Sequence, residues 1–169
     1  ALAYAHEAVQ ASSRDPEGTV RSLRTIPWRG LSLRGVITIA NDVPVTVATV
    51  AEAFGLTTWG IEVARYFGNK YLMKKALEGN GVPTPRFAVA TSANMLRRLH
   101  LQHFSNCQAI IKPTDGRGAL GVRRLVGVVD YEQEFATVSE HSKHERVLIE
   151  EFLPGRQFST ESIVLDGDI

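Results

Sequence analysis

Gly116-Arg117-Gly118-Ala119-Leu120-Gly121 sets three glycines in a G-x-G-x-x-G spacing. Glycine keeps backbone N–H groups clear of side chains and reaches φ values closed to other residues, so such a loop can wrap a phosphate. On spacing alone the loop is as well explained by a simple turn. A dinucleotide site needs a helix directly after the last glycine. Here Val122-Arg123-Arg124-Leu125-Val126 has β-like rather than helical character. Strand, glycine loop and strand would form a hairpin able to lie over a triphosphate. Lys112 favours that reading. It closes the apolar run Ala109-Ile110-Ile111 just before the loop. An ammonium group there is costly unless it meets an anion or snorkels to water.

Two other places carry unbalanced charge. Lys70 follows Asn69, a helix-capping residue type, and so falls in a first helical turn where the dipole disfavours cations. A bound anion would resolve the conflict, and a solvated lysine would tolerate it. Glu150-Glu151 follows the apolar run Val147-Leu148-Ile149. In a strand the two carboxylates point to opposite faces. If the strand lies at a sheet edge, its free backbone groups can read a planar base edge, as a peptide reads a sheet; an ordinary strand with a charged end fits the same residues. The remaining polar residues suggest less. Ser105, Ser139 and Ser159 sit in no nucleophile motif. His100 and His103 share a helix face without an acidic or cysteine partner nearby, and His141 and His144 sit near a helix end where a cation is favourable. Arg97-Arg98 and Arg123-Arg124 read as solvated pairs.

Short apolar runs alternating with helical patterns predict an α/β (α+β) organisation. Asp15-Pro16-Glu17 starts a helix reaching about residue 23. Residues 35–40 read as a strand. Val43-Pro44 then opens a helix with Val47, Ala48, Ala51 and Phe54 on one face, and Gly55 stops it. This strand-loop-helix unit reads as half of a doubly wound fold. From Asn69 a helix runs to about Gly79 with Leu72, Met73, Ala76 and Leu77 inward. The prolines of Val82-Pro83-Thr84-Pro85 impose extended chain. Strands follow at 87–90, 109–112, 122–126, 147–152 and 158–165, with helices at 93–102 and 131–141. A boundary falls near residue 68.

The chain has 169 residues, 44 % hydrophobic and 22 % charged, enough for one large or two small globular units. Lys plus Arg is 19 and Asp plus Glu is 18, a balance that argues against nucleic acid as the main partner. Cys107 is the sole cysteine, which excludes an internal disulfide framework and suits a reducing, cytoplasmic compartment. No apolar run approaches the roughly 20 residues that span a bilayer. There is no initial Met, and Asp166-Gly167 reads as a hairpin turn at the other end. Both ends therefore read as cut, and a chain cut in mid-sheet exposes an edge that could pair into a homo-oligomer.

Taken in order, Gly68-Asn69-Lys70-Tyr71-Leu72-Met73-Lys74, Gly81-Val82-Pro83-Thr84-Pro85, Ile111 to Val122 and Leu148 to Glu161 resemble the ATP-grasp superfamily, closest to its carboxylate-amine ligases and biotin carboxylase-like members. The resemblance covers nearly the whole chain. It implies the end of a Rossmann-like pre-ATP-grasp domain (residues 1–68) followed by the N-terminal part of an ATP-grasp domain (residues 69–169), truncated. It also implies ATP as ligand and a small-molecule carboxylate as the parent enzyme's substrate. Residue by residue, it implies that Lys70 approaches the phosphates and that Lys112 bonds the α-phosphate and adenine edge. Asp115, Gly116, Arg117, Gly118 and Gly121 belong to the flap over the β- and γ-phosphates. Glu150, Glu151 and Leu153 form the hinge whose backbone reads adenine, Phe152 packs beside it, and Gln157 lies near the ribose. Glu161 matches a frequent acid on the next strand. Asn69 replaces the usual Asp, Ala119 a frequent serine, and Gln157 an acid or histidine. The ligands for Mg2+ and the residues that perform the chemistry are expected beyond Ile169, so no catalytic or metal residue is assigned here and the piece alone is expected not to turn over. A non-catalytic nucleotide sensor with the same cradle is the alternative.

Overall fold

A computed structural model describes residue 5, residues 7–38 and residues 42–160. Four helices come first: α1 (Pro16–Arg24), α2 (Pro44–Ala53), α3 (Ile61–Gly68) and α4 (Lys70–Gly79). Then come β1 (Phe87–Ala90), α5 (Ala93–Leu99) with a π-helical extension (His100–Phe104), β2 (Ala109–Pro113), β3 (Arg123–Leu125), α6 (Tyr131–Ser139) and β4 (Val147–Glu151). The caps explain where most helices begin. Asp15 accepts from the Gly18 N–H at 2.9 Å, Ser92 from Met95 at 3.2 Å and Asp130 from Gln133 at 3.1 Å. Asn69 accepts from both Tyr71 and Leu72, at 3.0 and 3.1 Å. Each bond satisfies an N–H group that has no partner inside its helix.

The strands form one sheet in the order β1-β4-β2-β3, antiparallel throughout. Side chains alternate between its faces. Ala90, Ala109, Ile111, Leu125, Val147 and Ile149 meet Leu96, Phe104 and Val138 in the main core. The register places Phe87 opposite Glu150, and Ile110 opposite both Glu150 and Arg124. The other face therefore carries Phe87, Ile110, Lys112, Glu150 and Arg124. There α4 lies close, with the Tyr71 and Phe87 rings edge to face at 6.0 Å.

Several expectations change. Residues 35–38 are irregular rather than strand and join no sheet among the described residues; the rest of that predicted strand, residues 39–40, lies outside the described residues. The helix expected over 93–102 is α-helical only to Leu99 and widens into the π-helical turn. α3 was not foreseen: it starts at Gly60, at φ +84°, with no side-chain cap. In α4 the buried residue is Lys74, whereas Leu72 is exposed. Of the two readings open for β4, the structure gives an internal strand, flanked by β1 and β2. Residues 158–160 are irregular, and residues 161–169 of the last predicted strand lie outside the described residues. Among the described residues no helix is long and apolar enough to cross a membrane.

Phe104 is 1 % exposed at the centre of the core. Phe104→Ala is expected to cost about 3–5 kcal/mol, read as a lowered urea midpoint with an unchanged slope.

Candidate nucleotide-binding face

The charged face is organised by one carboxylate. Glu150, on β4, is buried. Its Oε1 accepts from the Lys112 ammonium of β2. Its Oε2 lies 2.9 Å from Lys74 Nζ of α4. No hydrogen bond of acceptable angle reaches Oε2, so that second contact is an ion pair rather than a directed bond. Lys74 also stands 5.6 Å above the Phe87 ring, a further favourable setting for its charge. Of the two outcomes open to a lysine in that apolar run, Lys112 takes the anion, and the anion within the chain is Glu150.

Lys70 is next to this group. Its ammonium donates to the Gly116 carbonyl, and its backbone N–H donates to Thr114 O at 2.7 Å. The Asn69 side chain takes two more N–H groups of the same turn. The start of α4 is therefore satisfied from within, and the lysine tethers the glycine loop. Burial, followed by the nearby positive charge of Lys112, pushes the Lys70 ammonium below its usual 10.5.

The loop begins as a bracket at Asp115. Its carboxylate accepts from Ser142 Oγ at 2.6 Å and from the Lys143 N–H at 3.0 Å, so it faces the turn after α6. Gly118, Ala119 and Gly121 take φ of +60°, +57° and +71°, and Ala119 holds a conformation unfavourable to an L-residue. A Cβ on Gly116 would come within 2.3 Å of Pro113 Cγ, and one on Gly121 within 2.6 Å of His141 Cδ2. Local packing thus demands both glycines whatever the loop binds. Within the loop, Leu120 donates to Arg117 O and Val122 to Ala119 O. The N–H groups of Gly116, Arg117, Gly118, Ala119 and Gly121 have no hydrogen-bond partner among the described residues. β3 follows directly and pairs back on β2. The loop is therefore the tip of a hairpin, and the helix that a dinucleotide site would need after Gly121 is absent.

The other expected site residues divide between places. Arg117 lies 3.7 Å from Asp42. Glu151 points away from Glu150 and pairs with Arg86 at 3.1 Å. Backbone N–H groups of Glu151 and Phe152 donate to Arg86 O and Gln108 O, while the Leu153 N–H has no partner among the described residues. Open backbone thus begins just past β4. Arg124 places its guanidinium 4.3 Å from the Phe152 ring centroid. Gln157 is exposed in irregular chain. Lys70, Lys112, Glu150 and Gly116 are brought together, with Asp115 close enough for its charge to act on Lys70, while Glu151 and Gln157 lie elsewhere. Lys74 was missed, although it is four residues after Lys70 and so on the same side of α4. The histidine pair proves structural at one member: His100 Nδ1 lies 2.8 Å from the Tyr131 hydroxyl.

A mixed helix and antiparallel-sheet unit with a glycine hairpin over a lysine-bearing face defines the class, and the comparisons agree with it. A D-alanine-D-alanine ligase from Helicobacter pylori superposes with TM-score 0.53 and 27 % identity over 65 % of this chain and 33 % of its own. An L-amino acid ligase from Bacillus licheniformis gives 0.58 and 23 % over 83 % and 31 %. A phosphoribosylglycinamide synthetase from Anaerococcus prevotii gives 0.57 and 24 % over 91 % and 36 %. The last two likenesses concern the fold. The chain spans about a third of the length of these proteins. No curated protein matches by sequence. The model of the ATP-grasp domain matches residues 67–168, and the chain belongs to the ATP-grasp family.

Glu150→Ala would leave the buried Lys74 and the half-buried Lys112 without their shared anion, with an expected cost of about 3–5 kcal/mol. Lys74→Met removes surplus positive charge while keeping side-chain length, so it should cost clearly less. Urea denaturation of the two variants checks the order.

Proposed function

We propose that the chain is the ATP-binding portion of an ATP-dependent ligase that activates a carboxylate as an acylphosphate and passes the acyl group to an amine or similar nucleophile. On this reading residues 1–68 close a preceding Rossmann-like domain and residues 69–169 begin the ATP-grasp domain. The observation that carries it is the charge of one sheet face. Lys74 and Lys112 stand there against Glu150, Arg124 lies on the same face over Phe152, and Lys70 stands beside them bonded to a loop with open N–H groups. Such a surface favours a polyanion. Lys112 and Lys70 would hold phosphate oxygens, and the loop from Asp115 through Gly116, Arg117 and Gly118 to Gly121 would close over them. The chain past Glu150 and Glu151 would read adenine through its backbone at Leu153, with Phe152 alongside and Gln157 at the ribose. Reacting oxygens would then be placed before any charge transfer, the main contribution a protein makes to phosphoryl transfer.

Mg2+ is part of this chemistry in the reading we adopt. No three His, Cys, Asp or Glu side chains gather as a metal site among the described residues. These residues do not fit that ion, and no step is assigned to it here. The ATP-using setting and the lone Cys107 support a cytoplasmic location.

Calorimetry of the intact protein is expected to show saturable ATP binding, and Lys112→Ala to weaken it about tenfold or more, that is by about 1.4 kcal/mol. No heat at millimolar ATP would sink the reading. Trapping with hydroxylamine in the presence of the carboxylate substrate separates ligase from sensor: binding without a trapped acyl group favours the sensor.

The lowered Lys70 value yields a second expectation. Folding disfavours the charged lysine, so its stability cost applies at neutral pH and is relieved as pH rises through the window up to 10.5. Bound phosphates would raise the value again. ATP binding in that alkaline window should therefore take up protons, while at neutral pH Lys70 contributes none. Binding heats in buffers of different ionisation enthalpy check the sign.

A further inference from the structure

A cleft of about 690 Å3 lies between the helical segment and the glycine loop. The start of α1, the first turn of α2, the Asn69 end of α4, the loop at Gly116 and the turn after α6 wall it. Arg14, Arg65, Arg117, Lys143, His141 and His144 line it, against a single carboxylate, Asp115. The chain as a whole has 19 Lys plus Arg against 18 Asp plus Glu, so this one-sidedness is local and not compositional.

Part of the charge is already used. Arg65 pairs with Glu62 at 2.7 Å, and Arg117 lies 3.7 Å from Asp42. Asp115 is spent on Ser142 and on the Lys143 backbone. Arg14 and Lys143 remain without a carboxylate partner, and the rings of His141 and His144 without a hydrogen bond, among the described residues. The opening of α2 adds to the same sign. It has neither an acidic residue in its first turn nor a side-chain cap, and the Val45 and Thr46 N–H groups have no partner among the described residues. Walls of one sign focus their field into the recess between them.

We propose that this cleft binds an oxyanion, a phosphate monoester or a carboxylate, at the end of the substrate remote from its reacting carboxylate. The substrate class is thus a molecule with two anionic groups: one reacts at the charged sheet face, and one is anchored by Arg14 and Lys143 beside His141 and His144. The inference rests on the ligase reading for the word substrate, but the anion site stands on its own residues.

The test uses the intact protein with 15N-labelled histidine. The His141 and His144 ring signals, assigned through His141→Gln and His144→Gln, are followed at constant pH and ionic strength with β,γ-methylene-ATP saturating. Inorganic phosphate, succinate and acetate are the probes. A saturable shift with phosphate or succinate, stronger than with acetate, is expected. The Arg14→Ala/Lys143→Ala variant should weaken it by about tenfold, while affinity for the ATP analogue stays within about twofold. Preference for phosphate assigns a phosphate monoester, and preference for succinate assigns a second carboxylate. No shift, an equal shift with acetate, or insensitivity to the double variant overturns the proposal. So does loss of the shift when the analogue is added, because the anion would then occupy the triphosphate's own place. Failure of the analogue to bind sinks the nucleotide reading instead, and the phosphate titration without it still decides the cleft.

Discussion

The Glu150 carboxylate ties together three elements that are far apart in the chain. It stands on β4, and its two lysines come from α4 and β2. Burying charges costs several kcal/mol per ion unless partners compensate. Glu150 is compensated twice over, by Lys74 and by Lys112, and the two lysines are tolerable side by side because Glu150 stands between them. The sum is still one positive charge in excess before Lys70 is counted. A face built in this way is stable enough to fold and incomplete enough to attract an anion. This is the usual compromise between local stability and function.

The two faces of the sheet show the same division. On one, small and branched apolar residues pack against α5 and α6 in a continuous core. On the other, Phe87, Ile110, Lys112, Glu150 and Arg124 alternate with that core at a period of two. The hydrophobic effect holds the first face together, and the second takes its form from the first. The loop glycines belong to both accounts, because Gly116 and Gly121 are needed for contacts with Pro113 and His141 as well as for an open backbone.

Local signals made much of this legible. The caps at Asp15 and Asn69 lie within a few residues of the bonds they make, and the apolar runs at 87–90, 109–112 and 147–151 became strands. Signals that depend on remote partners were not legible. Residues 35–38 have strand composition but join no sheet among the described residues. Whether β4 lay at an edge was open in the sequence, because no local feature reveals that β1 returns to its far side. α3 lacks a cap and begins at a glycine with positive φ. Lys74 carried no signal of burial, since its partner lies 76 positions further on, at Glu150. Asp115 was legible as part of a glycine loop, but that its carboxylate braces a turn 27 residues away was not.

Asn69 ends α3 and begins α4 by itself, with φ −140° and ψ 110°. The change of direction between the two helices therefore falls on one residue. The Lys70 N–H bond to Thr114 O holds the first turn of α4 to the end of β2, and the Lys74 ion pair with Glu150 holds the next turn to β4. α4 is thus moored to the sheet at two points four residues apart, as a part of the charged face rather than an appendage to it.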